Sequence, residues 1–208
     1  MDKFSKEEFR KIAKNKLKNS VKIFAKSKNH AIFNKIAKII EIFDAKNVLI
    51  FIPLKHEPNL LCLRRIFKNK VTFYVPFMLN ISLKMVKFRL PLKVAKFGVR
   101  QSPNSNAFFK EIDLAIVPTI AVDGNMARIG HGKGFYDMFF SMLKNKPIVV
   151  FVEICDLFCN QNLCKKHDIV GDFYITAKKN YMLRGKYDRN FSRFNRRIGG
   201  CWSRICSS

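Results

Sequence analysis

Asp113–Phe140 reads DLAIVPTIAVDGNMARIGHGKGFYDMFF, and its division into strand, loop and helix decides the fold. Leu114–Val117 is a short apolar run stopped by Pro118, the pattern of a strand covered on both faces. Gly134–Phe140 begins a helix. Between them lies Arg128-Ile129-Gly130-His131-Gly132-Lys133-Gly134. Alternating glycines let a backbone approach a ligand closely, because no side chain intervenes. The amides of such a loop, at the start of a helix, form a concave anion site. Arg128 and Lys133 add full positive charge, so phosphate is the expected guest. Two common phosphate motifs are excluded. Gly134 follows Lys133 where a P-loop needs Ser or Thr, and Pro118–Ile129 separate the strand from the glycines, which a dinucleotide fingerprint places directly after the strand.

Outward from this stretch, the same patterns repeat. Val48–Pro53 and Pro147–Val152 are apolar on both faces, as central parallel strands are, and Val71–Pro76 and Val170–Thr176 are further strands, the latter expected to be the last. Lys84–Arg89 alternates polar and apolar, which marks an edge or antiparallel strand. Ser5-Lys6-Glu7-Glu8 has capping-box form and opens a helix that keeps Phe9, Ile12, Ala13, Leu17, Val21 and Phe24 on one face. A second amphipathic helix is expected over about 31–43, and Leu60–Phe67 reads as a crossover helix. Strands alternating with helices predict an α/β domain with a mostly parallel sheet and helices on both faces.

The 208 residues suffice for one substantial core, and 48% hydrophobic with 26% charged residues is the balance of a soluble globular chain. No apolar run approaches the ~20 residues of a membrane span. The opening MDKFSKEEFRK is charged with no apolar signal core behind it, so a cytoplasmic protein is expected. A net charge of +25 invites a nucleic-acid reading. The lysines are nevertheless spread from Lys3 to Lys186, the pattern of a solvated surface, and such a charge also suits small polyanions. Cys62, Cys155, Cys159, Cys164, Cys201 and Cys206 contain no C-x-x-C pair, which argues against zinc and for free thiols. From about Tyr181, arginine replaces lysine, with glycines and little apolar periodicity. One domain over 1–180, followed by a disordered or loosely docked basic tail over 181–208, is the expected organisation.

Asp113-Leu114 with Val117-Pro118, Ala121 with Asp123, and then Arg128-Ile129-Gly130 through Gly134-Phe135-Tyr136-Asp137 form a string that resembles the signature of the 5-formyltetrahydrofolate cyclo-ligases, also called methenyltetrahydrofolate synthetases. The resemblance extends over roughly residues 4–179 and implies a three-layer, Rossmann-like α/β/α fold (NagB/RpiA/CoA-transferase-like). Lys6-Glu7-Glu8-Phe9-Arg10 resembles the family's opening motif, whose lysine and arginine hold ATP phosphates. The resemblance therefore implies ATP contacts from Lys6, Arg10 and the run Arg128, Ile129, Gly130, His131, Gly132, Lys133, Gly134, Phe135 and Tyr136, with Lys133 and Arg10 in the catalytic part. Glu57, in the loop after the Val48–Pro53 strand, matches the glutamate that hydrogen-bonds the pterin, and Ile52 matches the apolar pocket residue five positions earlier. His131, Gly132, Lys133, Gly134 and Phe135 would complete the folate side. Asp137 and Asp168 match the aspartates that hold magnesium.

Some positions depart from the family pattern. Phe135-Tyr136 stands where a Tyr-Tyr pair is usual, His131 where tyrosine or arginine is usual, and Lys96–Val99 leads into Arg100–Pro103 without the usual acidic residue. His56 is expected to be a solvated or structural neighbour of Glu57. The implied reaction is ATP-dependent closure of 5-formyltetrahydrofolate to 5,10-methenyltetrahydrofolate, with Mg2+ as cofactor and ADP and phosphate released. A monomer with small-molecule partners and no membrane is expected, nucleic acid being disfavoured. A basic nucleic-acid-binding protein, or another ATP-dependent ligase or kinase on this scaffold, is the competing reading.

Overall fold

The structure is a computed structural model describing residues 4–20, 25–79, 82–94, 100–105, 111–165 and 167–206. Its frame is a sheet whose strands are β1 (Asn47–Leu49), β2 (Thr72–Leu79), β3 (Ser82–Lys87), β6 (Leu114–Pro118), β9 (Ile148–Glu153), β10 (Phe173–Thr176), β11 (Lys179–Leu183) and β12 (Cys201–Ile205). The short strands β4 (Lys93–Val94) and β5 (Arg100–Gln101) pair with each other, as do β7 (Ala121–Val122) and β8 (Arg128–Ile129). Across the large sheet the order is β12-β11-β10-β9-β6-β1-β2-β3. β2, β1, β6, β9 and β10 run parallel, while β3 and β11 are antiparallel to their inner neighbours. The antiparallel edge expected near Lys84–Arg89 is thus β3.

The central strands are mostly apolar because they feed two cores, successive side chains pointing to opposite faces. Val48, Leu114, Ile116, Val150 and Val152 join one core with Ile32, Ile36, Ile39 and Ile40 of α2 (Ala25–Ile42). Leu49, Ala115, Val117, Val149 and Phe151 join the other, under Phe139 and Phe140 of α4 (Phe135–Ser141). α2 starts earlier than the periodicity alone suggests, and the crossover helix, α3, is only Leu63–Ile66.

The opening helix α1 (Lys6–Ser20) packs over neither large core but over β7 and β8. Its capping box is formed: Glu8 N donates to Ser5 Oγ (3.2 Å) and Ser5 N to Glu8 Oε2 (2.8 Å). Ala13 and Leu17 bury against Ile120, Ala121, Ile129 and Leu157, while Ile12 stays exposed. Val21 and Phe24, assigned to the same face, lie outside the described residues.

The sequence expectation fails at the carboxyl end. β10 is not the last strand, and residues 181–206 are not a loosely held tail. β11 and β12 extend the sheet, and α5 (Phe191–Ile198) lies against α2, with Met182 and Phe194 fully buried in the same core as Phe173. Phe43, Phe173, Tyr187, Phe194 and Trp202 form one aromatic cluster there. Lys35 of α2 seals the junction, its buried amine donating to Thr176 O (2.7 Å) and Asn180 Oδ1 (3.0 Å). The arginines hide this pattern in the sequence, since Phe194 and Ile198 form a one-stripe helix face among Arg193, Arg196 and Arg197.

Candidate active site

Beyond the carboxyl ends of the parallel strands, where ligands collect in open α/β sheets, lies a cavity of about 470 Å³. Three glycines shape one wall for two different reasons. Gly132 and Gly134 have φ of 101° and 68°, the left-handed region that side chains resist. Gly130 instead yields room, because a Cβ there would overlap the Arg128 guanidinium. That guanidinium is buried, held by Arg128 Nε donating to Pro118 O (2.9 Å) and stacked 4.8 Å over the Tyr136 ring.

α1 brings its basic residues to the same loop. Arg10 Nε donates to Gly130 O at 2.9 Å, which ties chain positions 120 residues apart. Lys6 Nζ lies 2.7 Å from Asp168 Oδ2, and the same oxygen accepts the Lys165 amide at 2.7 Å. Burial alone would raise the Asp168 pKa, but the Lys6 and Lys165 hydrogen bonds and the Lys6 charge outweigh it and hold the carboxyl below its ordinary value. Asp137 Oδ1 accepts the Ile169 amide (3.2 Å), so the two carboxylates are anchored by one short segment.

Opposite them, Glu57 is nearly buried, its Oε2 accepting the Leu54 amide (2.9 Å). Desolvation pushes its pKa up to about 7, against the Leu54 hydrogen bond and the Arg128 charge. His131 Nε2 stands 3.9 Å from Glu57 Oε1. Desolvation first, then His56, Lys14, Arg128 and Arg10, bring the His131 pKa down to about 4, so at neutral pH this is a polar contact and not an ion pair. His56 packs on His131 with ring centroids 5.5 Å apart, and burial lowers its pKa also.

A family model for the 5-formyltetrahydrofolate cyclo-ligase family matches residues 2–166. The chain belongs to that family. Among curated cyclo-ligases, it is 31% identical over 91 residues to the 5-formyltetrahydrofolate cyclo-ligase of Mycolicibacterium smegmatis, a match spanning 42% of this chain and 47% of that protein. It is 26% identical over 107 residues to that of Mycoplasma genitalium, spanning 50% and 57%. The matched part therefore spans about half the length of these relatives. In fold it is similar to the NMR structure of Aquifex aeolicus 5,10-methenyltetrahydrofolate synthetase, with a TM-score of 0.69 at 22% identity, covering 86% of this chain and 93% of that one.

Of the residues that the cyclo-ligase resemblance singles out, Lys6, Arg10, Ile52, Glu57, Arg128, Gly130, His131, Gly132, Lys133, Gly134, Phe135, Tyr136, Asp137 and Asp168 all line this one cavity. Ile129 does not. Its side chain is fully buried in the core beneath α1, and its carbonyl accepts the Ile120 amide and the Thr119 hydroxyl, so it supports the loop from behind. Asp168 lies just past the segment matched by the family model. Cys164 likewise supports the loop from behind, its thiol donating to Arg128 O at 3.4 Å.

Part of the wall comes from residues that the sequence does not single out. Pro76 and Met78 of β2, Leu83 of β3, and Arg100 and Gln101 of β5 close the cavity's far side. A wall residue on a strand has the same apolar alternation as a core residue, so no local signal separates them. Lys96–Val99, compared with a family segment, lies outside the described residues.

Proposed function

We propose that the chain catalyses ATP-dependent closure of 5-formyltetrahydrofolate to 5,10-methenyltetrahydrofolate, with ADP and phosphate as the other products. The observation that supports this most directly is that Arg10, carried by the opening helix, grips the Gly130 carbonyl within a cavity that Glu57 also lines. A phosphate-suited loop and a buried carboxylate for a heterocycle thus share one chamber.

The formyl carbonyl is a poor electrophile because the ring nitrogen donates into it, and its oxygen leaves badly as hydroxide. Attack of that oxygen on the γ-phosphorus of ATP expels ADP and converts the oxygen into part of a phosphate leaving group. The nitrogen at position 10 then adds to the iminium carbon, and phosphate departs as the ring closes. This chemistry asks a protein for alignment and charge neutralisation. Lys133 and Arg10 supply positive charge, the Gly130–Gly134 amides hold phosphate oxygens, and Glu57 accepts hydrogen bonds from the pterin. Neutral His131, with His56 packed against it, borders the pterin side. Phe135 offers an apolar face without the hydroxyl usual there.

Asp137 and Asp168 fit Mg2+, a hard cation that takes one or two carboxylates and completes its shell with water and phosphate oxygens. Each spends one oxygen on a backbone amide beside the cavity. Lys6, paired with Asp168, keeps that carboxyl ionised and ready. Bound there, Mg2+ would offset negative charge on the phosphates.

Incubation with 5-formyltetrahydrofolate and Mg-ATP should raise the near-ultraviolet absorbance of the methenyl product. Folded protein that gives no rise and consumes no ATP rejects the proposal. ATP consumption independent of the folate would point instead to another ligase or kinase.

A further inference from the structure

At the opposite end of the sheet, where β1 and β2 begin and β3 ends, lies a groove of about 1010 Å³. Lys46, Arg64, Arg65, Lys68, Lys70, Lys87 and Arg89 line it, and its lining contains no acidic residue. In the sequence these cations are scattered over three segments. The fold gathers them, because parallel pairing sets Asn47 beside Thr72 and the β2–β3 hairpin returns Lys87 beside Tyr74.

Lys46 is paired with Asp44, and the Asp113 carboxylate nearby is taken up by the Lys46 and Asn47 amides. Among the described residues no carboxylate lies within ion-pair distance of the other six cations. Like charges concentrated in this way repel one another and destabilise the compact state. A polyanion relieves that repulsion.

We infer that this groove binds single-stranded polynucleotide through its phosphate backbone. A linear chain of phosphates can follow a groove and meet cations on both walls, whereas a flat lipid surface reaches only the rim. Arg64 and Arg65 provide adjacent forked donors, and the Arg64 guanidinium is supported 5.5 Å over the Phe88 ring. The two rings in the lining, Phe73 and Phe88, are buried, so no stacking platform is offered to bases. Binding is therefore indifferent to sequence and strongly dependent on salt. The site is separate from the cyclo-ligase cavity and does not rest on the reaction proposed for it.

The test is fluorescence anisotropy of the full chain with labelled oligo-uridine and oligo-deoxythymidine over a salt series. At roughly 0.7 per neutralised phosphate, six contacts give a log-log slope of about −4. Replacing Arg64, Arg65 and Lys68 together by Ser should weaken binding more than tenfold, with circular dichroism and folate-closing activity unchanged. A control of equal charge loss, Lys144, Lys146 and Lys178 each to Ser, should change it less than threefold. RNA and DNA strands should bind within a few-fold of each other. Equal losses in the two variants would mean diffuse charge and overturn the inference. So would binding to anionic phosphatidylserine vesicles that the groove variant abolishes while leaving oligonucleotide binding intact.

Discussion

Glu57 couples its proposed hold on the pterin to stability in one carboxyl. Its pKa of about 7 in the folded chain exceeds the ordinary 4.5, so the folded state holds a proton that the unfolded chain has released. The stabilising contribution is complete below pH 4.5 and is lost as pH rises through 7, by roughly 3 kcal/mol at ~1.4 kcal/mol per unit. Buried Glu153, also raised by desolvation, acts in the same sense. Glu57→Gln should therefore flatten much of the decline in urea-unfolding free energy between about pH 5 and 8. If the slope is unchanged, the proton is not on Glu57. The same variant should weaken folate binding most above about pH 8, where the native carboxyl, with its pKa of about 7, is mostly ionised. Lys133 behaves differently, being exposed on the glycine loop with no carboxylate partner among the described residues. Lys133→Ala should reduce ATP turnover more than tenfold and leave the melting temperature in place; an undiminished rate removes it from the site.

At the scale of elements, α1 forms one wall of the cavity, through Lys6 and Arg10. It is joined to the molecule through a small core around Ala13 and Leu17 and through polar ties that include Arg10 to Gly130 and Lys6 to Asp168. Leu17→Ala removes the main apolar anchor, at a cost of ~2–4 kcal/mol to helix docking. Its signature should be kinetic: a several-fold rise in KM for ATP, with KM for the folate moving less, because α1 carries Arg10 to the side proposed for phosphate. Equal shifts in both constants would mean a general loosening. The capping box, the two-faced strands and the glycine loop were legible in the sequence because each rests on residues close together along the chain. The docking of α1 over β7 and β8, and the recruitment of Pro76, Met78 and Leu83 as cavity wall, depend on contacts between distant segments. Composition at those positions is the same whether they face a core or a cavity.

The whole molecule is closed by its last segment, which local composition concealed. Arginines at 189, 193, 196, 197 and 204 suggest a solvated tail, yet Phe194, Met182 and Ile198 complete the core that α2 and β10 begin. The arginines face outward, as with Arg204 over the Phe191 ring and Arg197 beside Glu41 on α2. Without β11, β10 would expose an edge, and the buried Lys35 amine would lose its Asn180 partner. Ending the chain after residue 178, which removes β11 and Asn180 together, should therefore leave a protein that aggregates or binds hydrophobic dye, rather than one that only lacks an appendage. A subtler variant separates packing from truncation: Phe194→Ala leaves every strand in place and should lower unfolding stability by ~3–5 kcal/mol, read as a shifted urea midpoint at unchanged slope. Arg196→Ser on the same helix, exposed and remote from the aromatic cluster, should shift it by less than ~0.5 kcal/mol. Were the two substitutions equally mild, α5 would be lying on the surface and not closing the core.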